Sequence, residues 1–198
     1  MEGRKLVAVI LLCTHLPTLE CGLKLPSRIY DIRKFLGTRD PIWTYSTRKD
    51  GNFLCIVNVM QYMNPTSMIF QHLYYENGVK RNTTWVGNFD QQYKNRITVH
   101  PKGGSNKLTE EIVYYSKKHQ CAVIRITTRI TGSLQMHDLR VWNSTWIPGN
   151  ARYCLQKFEK LEPHGHCIYD NFCKGLFHDS SKSPKLVQQK PQRPFQKL

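Results

Sequence analysis

Acidic residues and long apolar runs are both scarce in this sequence. Among its 198 residues, 14 are Asp or Glu and 29 are Lys or Arg, which gives a formal net charge of +15. Beyond residue 22, no apolar run reaches the roughly 18 residues that a membrane-spanning helix requires, which argues against a membrane-embedded protein. The positive charge favours anionic partners such as acidic glycans, anionic lipids or an acidic protein face, unless it serves solubility alone.

Motifs of enzymes and of nucleic-acid-binding proteins are also missing. The sequence has no Gly-x-Ser-x-Gly, no His-Glu-x-x-His and no Walker loop, and the stretch 101–107 has the composition of a hairpin turn. No RNP-like, zinc-finger or helix-turn-helix pattern occurs. His164, His166 and Cys167 lack a fourth ligand at the spacing typical of zinc sites. We therefore predict no enzyme, no nucleic-acid partner, and neither metal nor cofactor.

The N-terminus has the pattern of a secretory signal peptide. Arg4 and Lys5 precede the apolar run 6–12, which is too short to cross a bilayer as a helix. We predict that residues 1–22 are a signal peptide, with cleavage near its end, and that residues 23–178 form one extracellular domain. The environment of the secreted protein is then oxidising.

The C-terminal stretch 179–198 differs in composition from the rest. Ser, Lys, Gln and Pro dominate it, apolar residues are few, and they follow no period. Such a segment buries too little apolar surface to offset the entropy lost on ordering. We predict a disordered basic tail.

Strand-like segments recur at regular spacing between these two ends. Alternating, branched or aromatic residues predict eight strands, at 42–48, 53–62, 67–75, 80–89, 93–100, 108–115, 120–128 and 134–142. Turn-forming residues separate them, among them Asn77-Gly78 and the stretch 102–105. Eight antiparallel neighbours joined by short turns can close into a barrel around one small ligand. We predict an all-β, up-and-down barrel.

Two segments have helical periodicity. The segment 27–35 carries apolar residues at three-residue spacing and predicts a short helix before the first strand. The segment 150–161 has an apolar face and a basic opposite face, and Pro163 ends it. Its apolar face consists of Cys154, Leu155, Phe158 and Leu161. We predict that this second helix packs on the barrel wall.

Several stretches together resemble the tick salivary lipocalins. They are Phe35-Leu-Gly-Thr-Arg-Asp-Pro-Ile-Trp-Thr-Tyr45, Cys55, Tyr114-Tyr115, His119-Gln-Cys121-Ala-Val123, Asp138-Leu139, and Cys154 at the start of a helix. The resemblance covers about residues 30 to 173. That family includes histamine-, serotonin- and eicosanoid-binding proteins, complement-directed proteins and japanin-like immunomodulators. It implies a secreted eight-stranded lipocalin that sequesters a small host mediator and so dampens host inflammation or immunity.

Five cysteines beyond the predicted signal peptide are disulfide candidates. They are Cys55, Cys121, Cys154, Cys167 and Cys173. Because their number is odd, either one thiol stays free or Cys21 survives cleavage and pairs. Their spacing does not fix which cysteines pair. The family resemblance implies the bridges Cys55–Cys173 and Cys121–Cys154, with Cys167 unmatched.

The candidate ligand-binding residues lie on three predicted strands. Asp138, Arg140 and Trp142 share one face of the last strand, which alternation assigns to the lumen. The remaining candidates are Ile124, Trp43 and Tyr45. The aromatic pair at 43 and 45 also fits a packed core, and in a barrel that core is the pocket.

The type of ligand follows from departures from the family pattern. Amine-binding members carry an acidic residue where this chain has Ala122 and an aromatic residue where it has Arg140. A buried amine needs carboxylates to offset its desolvation, so we favour an amphiphilic lipid such as an eicosanoid, fatty acid or sterol, with its head group on Arg140. The alternatives are a histamine or serotonin scavenger and a japanin-like immunomodulator that acts through a host protein or cell. Asp138 and Arg140 also fit a purely structural ion pair.

Two sequons, at Asn82 and Asn143, predict N-glycosylation. We predict a glycosylated monomer.

Overall fold

Eight antiparallel strands form a closed barrel in the computed structural model, which describes residues 29–49, 51–128, 134–143 and 146–177. The strands are β1 Ile42–Thr47, β2 Phe53–Met63, β3 Ser67–Glu76, β4 Val79–Phe89, β5 Arg96–Pro101, β6 Leu108–Ser116, β7 Cys121–Thr128 and β8 Leu134–Trp142. Each strand pairs with the next, and β1 pairs with both β2 and β8, which closes the barrel. The predicted eight-stranded up-and-down barrel is confirmed. The predicted signal peptide and tail lie outside the described residues.

The strand ends follow from turn chemistry. Asn77 and Gly78 have positive φ angles of 51° and 77° between β3 and β4, a conformation that this residue pair adopts readily in tight hairpins. The sequence predicted that β5 begins at Tyr93, but it begins at Arg96. The amide of Arg96 donates a hydrogen bond to the carbonyl of Tyr93, which makes this stretch a turn.

A five-residue helix, α1 (Ile32–Leu36), closes one end of the barrel. The Asp31 side chain accepts a hydrogen bond from the amide of Arg33 and caps the helix start. Ile32, Phe35 and Leu36 are buried. The sequence predicted a helix over 27–35, of which positions 27 and 28 lie outside the described part of the chain. α1 covers the lumen at the turns that join β2 to β3 and β4 to β5.

The longer helix, α2 (Ile147–Leu161), packs on the outer wall of β6, β7 and β8. Cys154 and Phe158 of the predicted apolar face are fully buried there, whereas Leu161 is exposed at the helix end. The predicted C-terminal helix is confirmed, although it begins earlier than expected because Pro148 is accommodated in its first turn. Within the described residues, no helix is long and apolar enough to span a bilayer.

Two disulfides tie the C-terminal half to the barrel. Cys55 bonds to Cys173 and Cys121 bonds to Cys154, as the family resemblance implied. Cys173 lies in the 3-10 helix Asn171–Phe177, which follows a two-residue strand, β9 (His166–Cys167), paired with the end of β1. Cys167 carries a free, half-buried thiol.

The apolar residues form two clusters, one on each side of the barrel wall. The inner cluster consists of Ile32, Phe35, Leu36, Ile42, Met68, Phe70, Phe89, Ile97, Val99, Ile112, Ala122, Ile124 and Ile126. The outer cluster consists of Trp43, Cys55, Val57, Cys121, Val123, Leu139, Val141, Ile147, Ala151, Cys154, Phe158, Tyr169, Cys173 and Leu176. The inner cluster lines the lumen, and the outer cluster joins the wall to α2 and the C-terminal segment.

Candidate functional site

A buried charge pair lies inside the barrel. Glu110 on β6 and Arg140 on β8 both belong to the lumen-facing alternation of their strands, beside Ile112 and Trp142. The Arg140 guanidinium donates from Nη1 and Nη2 to the two Glu110 carboxylate oxygens, at 2.8 and 2.7 Å. Their side chains are only 5% and 8% exposed. This bidentate geometry is the strongest that an Arg and a carboxylate form.

Asp138 joins the pair as a second carboxylate. Arg140 Nη2 and Nε donate to Asp138 Oδ2 at 3.1 and 3.4 Å, and the Thr47 hydroxyl donates to Oδ1 at 2.7 Å. Four of the five guanidinium N–H donors thus have a carboxylate acceptor. The cluster, which we call the lumen triad, consists of Glu110, Asp138 and Arg140 and carries a net charge of −1 when all three groups are ionised.

Electrostatics in the lumen triad reflect its burial. Burial raises the pKa of Asp138, while Arg140 and the Thr47 hydroxyl act in the opposite direction. Burial alone would lower the pKa of Arg140, but Glu110 and Asp138 outweigh it and raise that pKa. Arg140 therefore stays charged at any accessible pH.

A neutral histidine borders the lumen triad. His72 on β3 places Nδ1 2.7 Å from Asn58 Oδ1, and because an amide oxygen only accepts, Nδ1 carries the proton. Burial lowers the pKa of His72 to about 3, with further lowering by Arg140 and Lys49. Its Nε2 is therefore a hydrogen-bond acceptor at neutral pH. The His72 ring lies 5.2 Å from the ring of Trp85.

A cavity lies between the lumen triad and α1. Apolar and polar side chains line it, namely Leu36, Thr38, Asp40, Ile42, Asn58, Met60, Met68, Phe70, Val99, Glu110 and Arg140. Its volume is about 10 Å³, which matches the space that one water molecule needs. Met60 and Met68 are the flexible part of this wall. A larger ligand must therefore displace side chains of the wall, and methionine side chains can be displaced at low energetic cost.

The predicted site residues fall on both sides of the wall. Asp138, Arg140 and Ile124 lie in the lumen. Trp142 also faces inward, but its indole donates to the Phe35 carbonyl at 3.0 Å and its ring stacks on Phe35, so it holds α1 in place.

Trp43 and Tyr45 lie on the outer side and do not line the lumen, contrary to their placement among the ligand-binding candidates. Both rings pack on Tyr169 of the C-terminal segment, with centroid distances of 5.3 and 5.9 Å. The inward positions on β1 belong to Ile42, which lines the cavity, and to Thr47, which bonds to Asp138. Covering by the C-terminal segment explains why outward positions of β1 are apolar.

Sequence reasoning did not select Glu110. A signal for it existed, since Glu110 alternates with Leu108 and Ile112, both packed in the inner cluster. The adjacent Glu111 obscured that signal. In either strand register one of the two consecutive acids faces inward, so the acids themselves do not indicate which one does. His72 and Asn58 were also not selected.

The two sequons differ in exposure. Asn82 is exposed on β4. Asn143 is half-buried, and its side-chain oxygen accepts a hydrogen bond from Trp43 Nε1 at 3.1 Å. Glycosylation at both remains a prediction.

No protein-family model matches the sequence, and no curated protein matches it either. Solved structures do match. Apocrustacyanin C2 gives a TM-score of 0.52 at 4% identity, covering 73% of this chain and 87% of that chain. H1 crustacyanin from the lobster Homarus americanus gives 0.52 at 6% identity, covering 66% and 76%. A bovine odorant-binding protein mutant gives 0.44 at 12% identity, covering 62% and 83%.

These matched proteins are lipocalins. At such low identities, the two matches with a TM-score of 0.52 show the fold alone, a closed eight-stranded antiparallel barrel with a helix packed on its wall, as in lipocalins. The resemblance to the tick salivary group rests on the sequence stretches given above.

Proposed function

We propose that the protein is a secreted, non-enzymatic lipocalin that sequesters a small amphiphilic host mediator in its barrel and so dampens host inflammation or immunity. The lumen triad carries this proposal. A buried ion cluster adds little to stability compared with well-packed apolar residues, because desolvation offsets its attraction. Glu110 and Arg140 lie beside an otherwise largely apolar cavity wall, which is the arrangement of a site that fixes a polar head group.

The charge of the lumen triad limits which ligand head groups can bind beside it. Because Glu110 and Asp138 already accept from Arg140 and compensate its charge, a carboxylate ligand finds no unpaired positive charge in the lumen triad. A hydroxyl group can accept a hydrogen bond from the remaining N–H of Arg140 and donate one to a carboxylate without breaking existing bonds. Among the lipids that the sequence favours, a sterol or another alcohol therefore fits better than a fatty acid or a carboxylated eicosanoid.

A biogenic amine is the second candidate. The sequence indicated that Ala122 replaces the first of the two acids of amine-binding family members and that Asp138 keeps the second, but Glu110 supplies another carboxylate from a different strand. Two carboxylates around one guanidinium can compensate a small ammonium group. Such a ligand must compete with Arg140 for the same carboxylate oxygens. We therefore rank an amine below an alcohol as the candidate ligand.

A matched ligand series tests the proposal. Calorimetry with dodecanol, dodecanoic acid, dodecylamine, cholesterol and histamine compares head groups, the first three on one chain. We expect the alcohol to bind about tenfold more tightly than the acid, a difference of about 1.4 kcal/mol. Tightest binding of the acid would refute the head-group assignment, and tightest binding of an amine would establish the second candidate. If none of these ligands binds, a japanin-like action through a host protein or cell becomes the better explanation.

A further inference from the structure

A polar groove of about 650 Å³ lies on the outer wall of β5 to β8. Its lining, which we call the outer groove, consists of Arg96, Thr98, Ser105, Asn106, Lys107, Thr109, Glu111, Arg125, Thr127 and Gln135. It includes no residue of α2 and none of the inner cluster. The outer groove is therefore separate from the lumen.

Three cations and one carboxylate set the charge of the outer groove. Glu111 accepts from Arg125 Nη2 at 3.4 Å and lies 3.4 Å from Arg96 Nε, while Asn95 Nδ2 donates to it at 2.9 Å. Arg96 and Arg125 are the cross-strand partners of Glu111 on its two sides. The carboxylate thus holds both guanidinium groups side by side, and each is about one-third exposed. With Lys107 at the rim, the lining carries a net positive charge.

Hydroxyl and amide groups run across the strands beside these cations. Thr98 pairs with Thr109, Thr109 with Thr127, and Thr127 with Gln135. Adjacent strands are about 4.8 Å apart, so this row offers evenly spaced hydrogen-bonding groups along the groove.

The lining chemistry selects one kind of anionic partner. A protein interface or a membrane contact has apolar or aromatic anchors, and single-stranded nucleic acid needs aromatic stacking platforms. The described lining contains neither type of residue. Sulfate groups pair with guanidinium and ammonium groups, and sugar hydroxyls pair with Thr and Gln side chains. We propose that the outer groove binds a sulfated glycan chain.

The test uses the full-length protein and heparin as the probe, at an ionic strength near 0.15 M. Lys107→Glu reverses a charge at the groove rim, whereas Lys102→Glu reverses an exposed charge in the same β5–β6 connection but outside the lining. We expect Lys107→Glu to weaken heparin binding about fivefold more than Lys102→Glu does, as for the loss of one close charge pair. Equal weakening by both variants would show diffuse attraction to a basic protein and would overturn the proposal.

A second variant and two further probes complete the test. The triple change Arg96→Gln, Glu111→Gln and Arg125→Gln removes all three charges of the bridge, so no buried charge is left unpaired, and the melting temperature checks that the variant folds. We expect it to bind heparin about tenfold more weakly. Desulfated heparin or a single-stranded oligonucleotide that binds wild type as tightly as heparin would refute a sulfated-glycan site.

Discussion

Glu110 and Arg140 meet inside the barrel through two parallel hydrogen bonds of 2.7 and 2.8 Å, although β6 and β8 are not neighbours. β7 lies between them, and there Ala122 is the direct pairing partner of Arg140. Glu110 pairs instead with Ile126, four residues further along β7, so the Arg140 side chain reaches it diagonally. The charge pair therefore links two strands across a third.

We expect Glu110→Ala to lower the free energy of unfolding by about 3 to 5 kcal/mol, because it leaves a buried guanidinium with one carboxylate fewer. Urea unfolding followed by circular dichroism measures it. Glu76→Ala is the matched control, since Glu76 forms a partly exposed ion pair with Arg81 and its loss is worth about 0.2 to 1 kcal/mol. Similar losses in the two variants would contradict the importance of the buried pair.

Arg140→Met should change which ligand the barrel prefers. Without the guanidinium, Glu110 and Asp138 remain as two uncompensated carboxylates, which attract an ammonium group. We expect dodecylamine to gain about tenfold in affinity relative to dodecanol, measured by calorimetry at a pH where the variant stays folded. An unchanged ratio would show that these carboxylates do not face the bound head group.

His72 should make stability depend on pH. Its pKa is lowered from 6.5 to about 3 in the folded protein, so the unfolded chain takes up a proton below pH 6.5 while the folded protein does not. The stability that His72 contributes is present above pH 6.5 and is lost as the pH falls toward 3, at up to about 1.4 kcal/mol per pH unit.

His72→Gln should remove this part of the pH dependence, as measured by urea unfolding between pH 7 and pH 4. His164→Gln is the control, because His164 is exposed and its replacement should keep the wild-type slope. If the His72 variant also keeps that slope, His72 is protonated in the folded state and the neutral-imidazole assignment fails.

The two disulfides should differ in their stabilising effect. They close loops with sequence separations of 118 and 33 residues. In the chain-entropy model, removing Cys55–Cys173 by paired Ala substitution costs about 1 kcal/mol more than removing Cys121–Cys154. Thermal unfolding of the two double variants measures the difference. Cys167→Ser serves as the control and should leave both bridges intact in peptide mapping under non-reducing conditions.

Much of the fold could be predicted because barrel strands leave a strong pattern. Alternation and turn residues such as Asn77-Gly78 gave all eight strands, and the apolar face around Cys154 and Phe158 gave α2. The pairing of cysteines could not come from spacing, since it depends on which strands lie near the C-terminal segment. It came from the family resemblance.

The site was harder to predict, for two physical reasons. Trp43 and Tyr45 were assigned to the lumen because both faces of β1 are buried, and a strand buried on both sides gives no inside-outside signal. Alternation placed Glu110 or Glu111 in the lumen without deciding between them, and the partner that would have decided it, Arg140, lies two strands away, where local sequence gives no information.

Within the described residues, the four disulfide-bonded cysteines belong to the outer cluster, and none of them lies in the inner cluster. These disulfides therefore cross-link the outer side of the barrel wall, while the described residues of the inner cluster are held by noncovalent contacts. Residues that line the lumen can therefore be replaced to suit a new ligand without disturbing the cross-links on the outer side of the barrel.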